Sequence, residues 1–299
     1  MSDEPDEPLL LLRARHCRAG VVGLWAWEAT VGLAIAWPAE SLARGFFGAD
    51  PSGDAVLWEA GGRRLLAFLD AQTQAIEALG HAALCTLILA AIGGLLPMCA
   101  VMTAIVDASR GRRPPAIGLA ASAARLFPTS AALLIAAAVA EILVLCGAMA
   151  VFEVLEAWFH GPLGEAEALH LAAVVGAAPS MAIAISVFVM HDLAQGAAVR
   201  WRVGAGSALV LGLRALRRAP RMILWSFSWR AGVGLLPILA GAALANRIGG
   251  QGDVALVGLG VAHQATIFAR VALRVSWLAR AMRAVPEPLF HRARSPRYT

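Results

Sequence analysis

The sequence predicts an all-α fold: a polytopic transmembrane helix bundle of about six spans with interfacial amphipathic helices. Three observations point there. Hydrophobic residues fill 59% of the 299 positions and charged residues only 15%, against roughly 45–50% and 25% in soluble domains. Six apolar runs reach or approach the ~20 residues that a helix needs to cross a ~30 Å hydrocarbon layer. The arginines gather between those runs, and mostly between alternate pairs of them. Helices are expected because a lipid-facing backbone must satisfy its own hydrogen bonds, and the alternation of a membrane β-strand is absent.

The elements follow in order. Residues 1–8 (MSDEPDEP) are acidic and proline-bearing, a composition that predicts disorder. Arg13, Arg15 and Arg18 precede the first run, about 20–37, read as a retained helix. A cleaved leader competes, since Ala34-Ile35-Ala36 resembles a processing site, but Glu28 interrupts the run. The other runs are about 81–106, 129–152, 168–190, 222–245 and 254–277. Between the first two, about 63–79 reads as an amphipathic helix with Leu65, Leu66, Leu69, Ile76 and Leu79 on one face. Glu59 and Arg63 are spaced to support it. The segments are then a cytoplasmic N-terminal piece (1–18), a transmembrane domain (19–284) and a basic cytoplasmic tail (285–299). Trp37, Trp158, Trp201 and Trp277 stand near the expected span ends, which suits interfacial anchoring.

Orientation follows from charge. All 25 basic residues are arginine. With the N-terminus inside, eighteen fall on the cytoplasmic side, four on the other, and three (Arg230, Arg270, Arg274) within spans. This bias predicts both termini in the cytoplasm of a cell whose inner membrane holds the protein, with anionic inner-leaflet lipids as its surroundings. The basic pI of about 9.8 has the same explanation and does not imply a nucleic-acid partner.

Two cytoplasmic stretches resemble each other. Arg125-x-x-Pro128 matches Arg217-x-x-Pro220, each after an arginine-bearing helix-like segment and before a span. Proline is tolerated in a helix's first turn, so the expectation is an interfacial helix that ends at each proline and a span that starts there. This layout, over about 81–245, resembles uncharacterised bacterial six-span membrane families, the glycerophosphodiester phosphodiesterase membrane-domain group among them. The resemblance implies a membrane bundle with cytoplasmic interfacial helices. It transfers no catalytic residues, and no soluble phosphodiesterase segment is present to carry that activity.

Ionisable groups near mid-membrane cost a few kcal/mol and demand partners or roles. Glu28, Glu141, Arg230 and His263 form the candidate buried polar cluster, with a carboxylate expected to balance Arg230. His263, Arg270 and Arg274 share one helical face, and the two arginines make a polar seam toward the cytoplasmic side. Pro97, Pro179 and Pro237 interrupt three spans. Ser226, Arg230, Gly234 and Pro237 share a face of the fifth. Small residues from Gly258 to Ala272 suit close helix packing in the sixth.

Chemistry is harder to find. Cys17, Cys85, Cys99 and Cys146 lack metal-ligand spacing. Gly204-Ala205-Gly206-Ser207 has neither the nucleophile-elbow nor the phosphate-loop pattern. His191-Asp192 lacks a nucleophile that can be placed beside it. No cofactor or metal is expected. The leading expectation is a non-enzymatic component in envelope organisation or lipid handling, with a membrane-protein partner possible. A solute or lipid transporter is the alternative, and an intramembrane enzyme the third.

Overall fold

The computed structural model describes residues 17–48, 63–112, 115–160, 165–248 and 253–288. Among them eight helices occur and no strand: α1 (Arg18–Phe47), α2 (Arg63–Ala71), α3 (Thr73–Ser109), α4 (Ala116–His160), α5 (Glu165–Trp201), α6 (Ala205–Arg218), α7 (Pro220–Ile248) and α8 (Asp253–Ala284). The all-α expectation holds. The N-terminal segment 1–8, for which disorder is expected, Glu59, Arg113 and the tail beyond residue 288 lie outside the described residues.

Five helices, α1, α3, α4, α5 and α7, are long and apolar enough to cross a membrane. The expected sixth span, α8, has 32 residues and does not join them over its described residues. His263, Gln264, Arg270 and Arg274 lower the apolarity of its middle. The helices also outrun the expected spans. α4 has 45 residues, about 67 Å at ~1.5 Å per residue, some twice the ~30 Å hydrocarbon layer. α3 and α5, with 37 residues each, are likewise longer than a hydrocarbon layer is thick.

Two sequence expectations need correcting. The segment 63–79 is not one amphipathic helix. It breaks at Gln72 (φ −113°, ψ 19°), where Thr73 Oγ1 donates to the carbonyls of Leu69 and Asp70. Ile76 and Leu79 belong to α3, and Leu66 and Leu69 of the expected apolar face are exposed. The residue α2 buries is Phe68, whose ring meets Phe46 and Phe47 of α1 at centroid distances of 5.2 and 5.1 Å.

The second correction concerns the tandem unit. Pro220 does open α7: Ala219 leaves helical geometry at φ −146°, ψ 57°, as a residue before proline tends to. Pro128 ends nothing. It sits inside the unbroken helix α4, where it removes one hydrogen bond from a long alanine-rich run. The two Arg-x-x-Pro motifs thus have different structures, and the resemblance of the two stretches does not extend to their folds.

The described chain divides into two compact units. One contains α1 to α3, the start of α4 to Ala123, α7 from Ser228 and α8 to Trp277. Here α1 packs on α3. Trp27 lies across Gly93 and Gly94, where a Cβ at Gly93 would come within 2.8 Å of its ring. The C-terminal half of α3 is the core: Leu95, Cys99, Val101, Met102, Ile105 and Val106 are buried.

The other unit contains α4 from Ala124, α5, α6, the start of α7 to Phe227, and α8 from Leu278. Every residue from His191 to Val199 of α5 is buried, so this part of the helix is enclosed on all sides. α6 buries Ala208, Leu211, Gly212 and Ala215, a helical i, i+3, i+4, i+7 stripe. Its Gly212 lies against the backbone of Ala194, and Gly196 of α5 lies against Met282 of α8. The turn from α5 to α6 is tight and places Arg202 at φ +52°, a left-handed conformation unusual for a residue with a Cβ.

Candidate functional site

The structure divides the expected polar residues. Glu28, Arg230 and His263 belong to the unit built on α1 and α3, as do Arg270 and Arg274; Glu141 belongs to the other. Glu28 is half-buried and experiences the positive charges of Arg270 and Arg274. The acid of α1 thus lies within electrostatic reach of the seam of α8, a proximity the sequence did not suggest. Arg230 Nε donates to Ser276 Oγ at 3.4 Å, and its guanidinium stacks 4.6 Å from the centroid of Trp229. Gly234, one turn on, faces Leu273 and the Arg270 stem. Thr266 Oγ1 donates to Ala262 O at 2.9 Å and lies 3.5 Å from Pro237 O. The expected shared face of Arg230, Gly234 and Pro237 does turn toward α8. His263 is exposed on α8. Glu141 is half-exposed on α4 and makes no ion pair among the described residues.

The second unit buries a polar group that the sequence showed only as an adjacent pair. Asp192, Gln195 and Ser130 are fully buried and His191 nearly so. Gln195 Nε2 lies 3.0 Å from His191 Nε2, and His191 Nδ1 lies 3.8 Å from Asp192 Oδ1. Gln195 Oε1 has no hydrogen-bond partner among the described residues. The i, i+4 spacing of His191 and Gln195 was the readable signal. Nearby, Arg200 Nη1 donates to the carbonyls of Met282 at 2.7 Å and Val285 at 3.3 Å. It caps the end of α8, where the last carbonyls lack intrahelical partners.

A pocket of about 380 Å³ opens between the N-terminal turns of α1, the C-terminal half of α3 and the start of α4. Small residues make its walls: Gly20 and Gly23 on α1, Ala100, Ala104 and Ala108 on α3. Arg18 and Arg112 stand at it from the two helix ends. Cys17 is buried beside it, and that burial pushes the thiol up from its ordinary value, partly offset by a hydrogen bond with the Gly20 backbone. None of Glu28, Arg230 or His263 lines this pocket. The sequence signal was the four-residue spacing of alanines on α3, invisible as a pocket until α1 lay against it. Among the described residues no group of three or more His, Cys, Asp or Glu side chains is placed to hold a metal.

Comparison with protein-family models, curated proteins and solved structures found no match to this chain.

Proposed function

We propose that the protein is a non-enzymatic component of a bacterial inner membrane that handles lipid and organises the envelope around its helices. Its arginine-rich helix ends and both termini face the cytoplasm, and its partners are anionic inner-leaflet lipids and a membrane protein. On this reading α8 is the sixth span, its arginines offset by Glu28. The observation that carries the reading is that none of Glu28, Arg230 and His263 lines the described pocket. Two of the span charges have groups of a neighbouring helix near them: Glu28 is within electrostatic reach of Arg270 and Arg274, and Arg230 donates to Ser276. The pocket lies elsewhere, at the helix ends that bear Arg18 and Arg112. A transporter would instead need water and substrate to reach the charges.

Gly234→Cys tests this. A Cβ there makes only ordinary contacts, 3.8 Å from Leu273 and 3.9 Å from Arg270, so the thiol sits beside the charges without a clash. In a chain with Cys17, Cys85, Cys99 and Cys146 replaced by serine, charged thiosulfonate reagents are expected to leave it unmodified from either side of intact membranes. Modification from both sides favours the transporter.

A further inference from the structure

The pocket beside α1 has a polarity of its own. Arg18 is the first residue of α1, and Leu24, which also lines the pocket, lies six residues deeper, about 9 Å along the axis. On α3 the lining runs from Ala108, one residue from the helix end, to Pro97, about 16 Å deeper. In a bilayer crossed by α1 and α3 the guanidinium groups would stand toward one surface, and the apolar walls would descend into the hydrocarbon. An anionic lipid has the same order of charge and chain. Both arginines are exposed, so they can reach a headgroup, and α1 begins without a side-chain cap on its first-turn amides, which adds positive potential there. The volume falls within the roughly 300–1,000 Å³ usual for small-molecule sites.

We propose that this groove holds one anionic phospholipid. Its phosphodiester lies against Arg18 and Arg112, and an acyl chain runs along Gly20, Pro97, Ala100 and Ala104. The proposal rests on the lipid-handling reading and gives it a site. Gly23, where a Cβ would meet nothing within 4 Å, and the alanines of α3 leave room for a methylene chain that larger side chains would fill, and the two arginines select a net negative headgroup over a zwitterionic one.

Native mass spectrometry of the full chain in a non-ionic detergent tests it, with phosphatidylglycerol, phosphatidylcholine and inorganic phosphate as probes. Wild type is expected to retain one phosphatidylglycerol, to bind phosphatidylcholine several-fold more weakly, and to keep its lipid in excess phosphate. The double variant R18Q/R112Q should weaken phosphatidylglycerol about 30-fold, from roughly fivefold per arginine at a membrane surface. Gly23→Leu, where a Cβ meets nothing within 4 Å, should block both lipids while melting like wild type. Wild-type affinity in both variants overturns the proposal, as does displacement of the lipid by phosphate. So does lipid binding that appears only after residues 2–8 are removed, which would make that acidic segment the occupant. Lost lipid selectivity with an unmodified Gly234→Cys sinks the groove alone. Retained lipid with a Gly234→Cys modified from both sides sinks the non-transporting reading alone.

Discussion

Replacing Gly212 with alanine probes the closest helix contact in the unit built on α5. A Cβ at Gly212 would stand 3.0 Å from the Ala194 nitrogen, 3.3 Å from its Cα and 3.4 Å from the Leu193 carbonyl carbon. All three are backbone atoms of a helix segment enclosed on every side, so none can swing away as a side-chain tip would. α6 must retreat by a few tenths of an ångström, and overpacking of this kind costs about 1–3 kcal/mol. Alanine also gains up to ~1 kcal/mol of helix propensity over glycine, which hides part of that cost. Gly206→Ala supplies the reference: it lies on the same helix, and a Cβ there meets nothing within 4 Å. Unfolding in detergent, followed by tryptophan fluorescence, should find Gly212→Ala less stable than Gly206→Ala by about 1–3 kcal/mol. Equal stability, or a more stable Gly212→Ala, would refute the close approach of α6 to α5.

Other consequences are as direct. Arg200→Ala should destabilise by roughly 1.5–3 kcal/mol through lost charged hydrogen bonds to the Met282 and Val285 carbonyls, and the amides of the last turn of α8 should exchange faster with deuterium as the uncapped end frays; unchanged exchange counts against the cap. Gly93→Leu should destabilise because its Cβ would meet Trp27, and Trp27→Ala in the same chain should recover part of the loss. Cys17 has a raised pKa, so less of it is thiolate at a given pH; its alkylation in the folded protein should need a more alkaline pH than a free thiol, and alkylation at the free-thiol rate near pH 8 would contradict its burial. A fluorescent protein fused after Thr299 should fluoresce if α8 crosses the membrane as proposed, whereas a C-terminal alkaline phosphatase that is active in its place would leave five spans.

Much of the architecture was written in the apolar runs, because length and apolarity suffice to mark a helix in lipid. One helix start was legible where backbone chemistry enforces it, since Pro220 opens α7, whereas α5 runs to Trp201, well past the expected span end near residue 190. The same Arg-x-x-Pro pattern misled at Pro128. One lost hydrogen bond does not stop a helix whose flanking residues are strong helix formers, and α4 continues through it. The site was legible as a set of residues and not as a set of partners. Glu28, Arg270 and Arg274 stood out as costly charges, but which helix faces which depends on packing that no single segment encodes. Gln195 escaped notice for a related reason: its helix segment is buried all round, so no polar face marked it.

The lipid groove and the basic face both require the arginine-bearing helix ends to lie at the anionic inner leaflet. Ala116, the first residue of α4, lies just beyond the loop that carries Arg112. In an otherwise cysteine-free chain, Ala116→Cys should resist a membrane-impermeant maleimide in intact cells and react in inverted membrane vesicles. Reaction in intact cells would place that end outside and contradict the account.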